Sequence, residues 1–102
     1  MRDSIAREEF ANSVNTKFKL EVDEANSIEL ELVTFDDLGS TTRQEQFSLV
    51  FRGPAAPLLP QTIYRLDHGA IGRFSIFLVP IGRDNRGVNY EAVFNRFPEQ
   101  KP

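Results

Sequence analysis

The side chains that could carry out nucleophilic chemistry are few, and the most suggestive pair is Asp67 and His68 in the stretch LDHG. Together with Ser48 or Ser75 they supply the residue types of a serine triad, in which the histidine accepts the proton of the serine hydroxyl. Adjacent residues at the end of a strand point apart, however, and the sequence lacks the G-x-S-x-G elbow that exposes such a serine. We therefore expect no triad. Instead, His68 should bond neighbouring backbone and Asp67 should close a turn.

Paired carboxylates occur at two places in the chain. Glu29 and Glu31 are two positions apart on a predicted strand, hence about 6 to 7 Å apart, a spacing known from the carboxylate pairs of glycosidases. The strict alternation around them favours a solvated outer face instead. Asp36, Asp37 and Glu45 flank a loop, but the ligand spacing of a calcium loop is missing. With no cysteine and one histidine, we expect neither a metal site nor a cofactor.

Arg83 and Arg86 stand close together in the stretch GRDNRG. Two guanidinium groups on a tight turn can bind an anion or contact an acidic partner. The simpler interpretation, a hairpin turn with charged flanks, is the one that the local sequence favours.

The composition is typical of one small folded domain spanning residues 1–102, since 40% of the 102 residues are hydrophobic. The formal net charge of −3 argues against nucleic acid as a partner. No apolar run approaches the roughly 18 residues of a membrane span. MRDSIAREEF also lacks the apolar core of a signal peptide, so we expect synthesis in the cytoplasm and no contact with membranes.

Charge is distributed unevenly along the chain. Residues 1–51 hold 5 basic and 11 acidic side chains, whereas residues 52–102 hold 7 basic and 4 acidic ones. If this separation persisted on the folded surface, unlike surfaces of two copies would attract each other head to tail. The alternative is that strands distant in sequence become neighbours and mix the charges.

Apolar and polar residues alternate through most of the chain, which is the pattern of half-buried β-strands. SIAREEFANSV instead spaces its apolar residues four apart behind good N-cap residues, which predicts a short helix at about 4–13. Strands are predicted at about 16–23, 27–35, 46–52, 61–66, 73–81 and 88–96. This order predicts a mainly β fold, a small antiparallel six-stranded barrel or sandwich with one short N-terminal helix.

The stretch FSIFLVPIG at residues 74–82 is apolar on both of its faces. One face holds Phe74, Ile76 and Leu78, and the other holds Phe77, Val79 and Ile81. We expect the first face to line the interior and the N-terminal helix, whose Phe10 and Val14 need a partner, to cover the second. Pro80 lacks an N–H, so the strand should end its pairing there or lie at a sheet edge, where another chain could add a strand.

Several motifs in residues 47–96 resemble a family of small bacterial proteins known as a domain of unknown function. FSLVFRGP, LPQTIYRLDHGAIGRFSIFLVPIG and YEAVFNR match the family patterns F-S-L-x-F-x-G-P, Q-x-x-Y-x-x-x-H-x-x-x-G, F-L-V-P-x-G and Y-E-A-x-F-N, in that order. The N-terminal helix and hairpin match more loosely. Members of the family accompany proteins similar to phage tail-collar or tail-fibre proteins. The resemblance implies no activity and no catalytic residue.

We therefore expect a structural or interaction module without enzymatic activity. Its partner would be a tail-fibre-like or collar-like protein, in a phage-tail-like assembly, or a second copy bound at a strand edge or head to tail. The candidate interface residues are Phe77, Val79, Pro80, Ile81, Arg83 and Arg86. The alternative is a barrel that binds a small ligand, although nine phenylalanines should fill so small an interior.

Overall fold

The computed structural model describes residues 2 and 4–97 of the chain. It contains one helix, α1 (Arg7–Ala11), and six strands, β1 (Lys17–Glu21), β2 (Ser27–Asp37), β3 (Glu45–Gly53), β4 (Thr62–His68), β5 (Gly72–Asp84) and β6 (Gly87–Arg96). The prediction of a mainly β fold with six antiparallel strands and one short N-terminal helix is confirmed. The helix is shorter than predicted, whereas β5 continues past its predicted end at residue 81. No helix in this part of the chain has the length and apolar character needed to cross a membrane.

The six strands form a single antiparallel sheet that closes into a barrel in the order β1-β2-β3-β6-β5-β4. A sandwich would need two separate sheets, so the barrel is the alternative that forms. After the first three strands the chain crosses over, so that β4 lies beside β1 and β6 lies beside β3, which is a Greek-key connection. This crossover makes neighbours of strands that are far apart in sequence.

The interior of the barrel is filled by side chains from every strand. Successive strand residues point to opposite faces, so the apolar member of each alternating pair turns inward. The largest fully buried side chains are Tyr90, Phe10, Phe18, Phe47, Phe51, Leu20, Leu30, Leu32, Leu49, Leu66, Leu78 and Val88. Burying a side chain of this size stabilises the fold by roughly 1.5 to 3 kcal/mol.

Helix α1 closes one end of the barrel through Phe10, which is 1% exposed. The Phe10 ring lies against Phe47, Phe74 and Phe94, with centroid distances of 6.1, 5.7 and 5.5 Å. The helix begins after Ala6, whose N–H donates to the Glu9 carboxylate at 2.9 Å. These contacts place the helix at the mouth of the barrel.

The expectation that the helix covers the outer face of β5 is therefore wrong. Phe77 and Ile81 remain 48% and 51% exposed, and Val79 is half-buried. The physical reason is that three phenylalanine rings meet at the mouth, where one more ring excludes water from all of them. Phe10 is the one buried side chain of this five-residue helix, and it gains the most contact at the mouth of the barrel.

A proline-rich connection, residues 54–61, closes the opposite end of the barrel. Its Leu59 is 5% exposed, and the Leu59 N–H donates to the Tyr90 hydroxyl at 3.0 Å. The Tyr64 hydroxyl donates to the carbonyl oxygen of Pro60, and the Ala56–Pro57 peptide bond is cis. Two tyrosine hydroxyls thus satisfy backbone groups of this segment.

Strand β5 changes its partner in the middle. Residues 72–78 pair with β4, whereas residues 79–84 pair with β6 and contain a register shift between Pro80 and Gly82. Pro80 stands opposite Tyr90. The expected free edge at Pro80 is therefore wrong on the β6 side, where the ladder continues with the register shift just after Pro80. On the β4 side the pairing ends before Pro80, with Thr62 opposite Leu78.

The N-terminal segment bridges the place where β5 and β6 separate. In the described part of the chain, no ladder joins residues 72–78 of β5 to residues 92–96 of β6. There the Arg2 N–H donates to the carbonyl oxygen of Arg73 at 2.8 Å, and Arg96 Nη1 donates to the carbonyl oxygen of Ile5 at 2.8 Å. Ile5 itself is buried, so this segment completes the core.

Candidate functional site

The outer face of β4 and β5 carries a group of apolar side chains, exposed Ile63, Phe77 and Ile81 and half-buried Val79, which we call the outer patch. Ile63 and Phe77 are direct cross-strand partners, so they lie side by side on the same face of the sheet. They are 65% and 48% exposed. Three of the six residues predicted to form an interface thus lie in one patch.

The patch continues into the hairpin formed by residues 79–91, whose tip carries Arg83 and Arg86, both exposed. The Asp84 carboxylate accepts the Arg86 N–H at 2.8 Å and holds the turn. At the base of the turn, Gly87 has a φ of 137°, and a Cβ atom there would lie 2.0 Å from the carbonyl oxygen of Gly53. Only glycine fits this contact, which positions the hairpin against the end of β3.

Beside the hairpin tip lies an open depression that we call the arginine depression. Its walls are Lys17, Glu29, Glu31, Arg52 and Arg86, around the backbone of Gly53 and Pro54. Lys17 Nζ lies 3.9 Å from Glu29 and 3.5 Å from Glu31, so it balances much of their charge. Within the described part of the chain, neither Arg52 nor Arg86 has a carboxylate oxygen within 4.0 Å of its guanidinium group.

Two polar atoms next to the depression are buried without a hydrogen-bond partner, Nε of Arg52 and Oδ1 of Asn89. Arg52 and Asn89 stand opposite each other in the β3–β6 ladder, and Gly82 of β5 follows in the same row. Buried polar atoms without a partner are uncommon in folded proteins. Because Arg52 lines the depression and Gly82 follows Ile81, the row Arg52–Asn89–Gly82 connects the depression with the end of the outer patch.

His68 is held in place through both of its ring nitrogens. Nδ1 accepts the N–H groups of Ala70 and Ile71 at 3.1 and 3.2 Å, and Nε2 lies 2.8 Å from Thr16 Oγ1. Since Nδ1 is an acceptor, Nε2 carries the proton. Burial lowers the pKa of His68, while the neighbouring Asp67 opposes the shift. His68 bonds backbone as predicted, and neither Ser48 nor Ser75 is among these partners.

Asp67 does not close a turn, because its carboxylate lies 3.7 Å from Arg73 Nε instead. Asp37 takes such a role at the other loop, where its carboxylate accepts the N–H groups of Ser40 and Gly39, both at 2.9 Å, and bonds Arg7. These N–H groups and Arg7 hold the pKa of Asp37 far below its usual range. Among residues 2 and 4–97, no three His, Cys, Asp or Glu side chains come together as metal ligands do.

Sequence reasoning missed three residues of this surface, Ile63, Arg52 and Asn89. Alternation along TIYRL and FSLVFRG places Ile63 and Arg52 on outer faces, but alternation does not show which strand lies alongside. Positions 52 and 89 meet only because β3 pairs with β6 along its whole length. Knowledge of the Greek-key crossover would have been needed to bring them together.

A sequence model of a protein family described as "Domain of unknown function (DUF6916)" matches residues 5–94, which is most of the chain. No curated protein and no solved structure matches it. The matched range runs from Ile5, in the segment that bridges β5 and β6, to Phe94, whose ring contacts Phe10. The matched range thus includes the helix, strands β1 to β5 and most of β6.

Proposed function

The chain belongs to the DUF6916 family, and for this member we propose the function of a non-enzymatic interaction module that binds another protein through the outer patch and the hairpin tip. The observation that carries the proposal is the exposure of Ile63, Phe77 and Ile81, each about half or more accessible, on adjoining strands. Contiguous apolar surface of this kind commonly marks a site of protein contact.

The shape of the surface supports a protein partner. An interface needs an apolar centre and a polar, charged rim, and here the outer patch is flanked by Arg83 and Arg86 at the hairpin tip. Arginine is enriched in protein interfaces because its planar guanidinium group binds carboxylates with two hydrogen bonds. Pro80 lies between Val79 and Ile81 of the outer patch and stands opposite Tyr90.

We propose a collar-like or tail-fibre-like protein of a phage-tail-like assembly as the partner, on the basis of the sequence resemblance. A second copy bound head to tail is the alternative, but the folded surface weakens the charge argument for it. Arg65 lies 3.5 Å from Glu21, and Arg96 lies 2.9 Å from Glu45, so basic residues of the second half already pair with acidic residues of the first. The two charge blocks mix on the barrel.

Co-purification tests the proposal. The tagged protein is expressed with a candidate collar-like protein, and wild type is compared with Ile81→Ser and with the control Leu38→Ser. Leu38 is 52% exposed, almost the same as Ile81 at 51%, but it follows β2 outside the outer patch. We expect Ile81→Ser to reduce recovery of the partner roughly tenfold, since losing apolar contact of about 1.4 kcal/mol changes affinity by that factor.

Equal recovery with both variants would contradict the proposed surface, and no recovery with wild type would contradict the proposed partner. In the second case, light scattering at several salt concentrations tests self-association. A monomer at every salt concentration would then remove the second copy as well. Phe18, Phe51 and the leucines of the core fill the interior of the barrel. The alternative function, binding of a small ligand inside the barrel, therefore has no structural support.

A further inference from the structure

We propose that the arginine depression binds a single carboxylate group of an acidic side chain, which the protein partner presents next to the apolar residues that contact the outer patch. This inference rests on the proposed function, since it specifies the chemistry of the partner. It assigns to Arg52 and Arg86 the roles of the two binding cations.

The first argument is the arrangement of charge. Arg52 and Arg86 line one depression, and among the described residues neither has a carboxylate oxygen within 4.0 Å. Arg65, Arg73 and Arg96, which also lie in strands, each have an acidic partner within this distance. Since both side chains border the same depression, an anion bound there is attracted by both positive charges.

The second argument is the unused hydrogen-bonding capacity of Arg52. Its Nε is buried and has no acceptor. A guanidinium group presents Nε–H and Nη–H side by side, which is the arrangement that a carboxylate accepts with its two oxygens. Because an atom without exposed surface cannot be reached from the depression, a carboxylate bonds this Nε only when the Arg52 side chain turns outward, and binding then satisfies an atom that the folded chain leaves without a partner.

The neighbouring acidic residues decide which anion fits. Glu29 and Glu31 line the same depression, where Lys17 lies within 4.0 Å of both and Arg52 stands opposite Glu31 in the β2–β3 ladder. Three cations, Lys17, Arg52 and Arg86, against these two carboxylates give the lining a net charge of +1. One carboxylate of charge −1 neutralises this charge, whereas a phosphate group of about −1.5 to −2 exceeds it. A singly charged acid is therefore preferred.

The position of the depression connects it to the outer patch. Arg52, Asn89 and Gly82 form one row across β3, β6 and β5, and Ile81 is the residue next to Gly82. The wall formed by Arg86 belongs to the same hairpin as Ile81. A partner segment that contacts Ile81 with an apolar side chain can therefore reach the depression with a neighbouring acidic one.

Nuclear magnetic resonance of the arginine Nε–H signals tests the inference without the partner. The probe is a capped Gly-Glu-Gly tripeptide, with capped Gly-Gln-Gly as its uncharged match and inorganic phosphate as the second anion. We expect saturable shifts of the Arg52 and Arg86 signals with the glutamate peptide only. Arg52→Gln should weaken this binding by roughly tenfold or more, since a charged hydrogen bond is lost, whereas Arg43→Gln, in the loop before β3, should leave it unchanged.

Every outcome decides the matter. Binding of the glutamate peptide that depends on Arg52 supports the inference, while tighter binding of phosphate overturns the preference for a carboxylate. No saturable shift, or equal shifts with the glutamine peptide, overturns the site. Since the peptide test needs no partner and the Ile81→Ser test needs no anion, a negative peptide result beside a positive co-purification refutes this inference alone.

Discussion

The two faces of β5 carry the same kinds of apolar side chain, yet one face is buried and the other is largely exposed. On the inner face Phe74, Ile76 and Leu78 are 2%, 4% and 0% exposed, whereas Phe77 and Ile81 on the outer face are 48% and 51% exposed. A closed sheet has one interior, so a strand that is apolar on both faces buries only one of them unless another element covers the second. The helix does not do so, which leaves the outer face exposed.

The sharpest test of this comparison is a pair of substitutions on the two faces. Phe74→Ala should lower the free energy of unfolding by about 3 to 5 kcal/mol, because it leaves a cavity against Phe10 and Phe18. Phe77→Ala should change it by less than about 0.5 kcal/mol, as is usual for exposed positions. Urea unfolding followed by circular dichroism measures both. Similar losses for the two variants would show that the outer patch is covered in solution.

The second prediction tests whether helix α1 packs against the side chains of the barrel interior. Phe10→Ala should destabilise the fold by roughly 3 kcal/mol, since its ring closes the mouth over Phe47 and Phe94. The control is Phe97→Ala, because Phe97 is 75% exposed. We expect no change in the melting temperature for the control. A Phe10 variant as stable as the control would contradict the assignment of the helix to the mouth.

The third prediction concerns the hairpin that extends the outer patch. Gly87→Ala should cost more than about 2 kcal/mol, because the new Cβ meets the carbonyl oxygen of Gly53 and the φ of 137° is strained for alanine. Gly39→Ala is the matched control: its φ of 109° is also positive, but nothing lies within 4 Å of the added Cβ. Thermal unfolding of both variants separates the steric contact from the backbone strain. Equal losses would mean that the contact with β3 contributes nothing.

The smallest expected effect comes from His68, which packs against Phe18 with a centroid distance of 4.3 Å. Burial lowers its pKa in the folded protein, so folding favours the neutral ring. Its contribution to stability is therefore present above the unfolded value of about 6.5 and is lost as the pH falls through the folded pKa. His68→Asn, which keeps an acceptor for the turn, should flatten the pH dependence of stability just below pH 6.5. A profile like that of wild type would exclude His68 as its cause.

Much of the fold could be predicted because alternation is a local property. Period two alone places Phe18, Leu20 and Val22 on one face of NTKFKLEVD and turns Ile28, Leu30 and Leu32 of SIELELVTF inward. Phe18, Leu20, Leu30 and Leu32 are fully buried, whereas Ile28 is partly buried and Val22, beyond the end of β1, is 44% exposed. The docking of the helix could not be predicted in the same way. Its position depends on where Phe47, Phe74 and Phe94 meet, and those residues come from three strands whose order the sequence pattern does not contain.

The same limit applies to the candidate surface. Phe77, Val79 and Ile81 belong to one strand, so their common face is visible in the sequence, and the adjoining turn carries Arg83 and Arg86. Arg52 joins them only through the pairing of β3 with β6, and Ile63 only through the pairing of β4 with β5. Proximity that a turn creates can be predicted from local sequence, whereas proximity that a crossover creates requires the strand order.

The bond between Arg96 and the carbonyl oxygen of Ile5 joins residues that are 91 positions apart, and this distance has a consequence for biosynthesis. Ile5 and Phe10 leave the ribosome well before Phe94 and Arg96 are translated. At a translation rate of about 5 to 20 residues per second, Ile5 and Phe10 remain without their native contacts for roughly 5 to 20 s. The barrel therefore closes only after translation of β6, and nascent chains that stall before that strand expose Ile5 and Phe10 to chaperones.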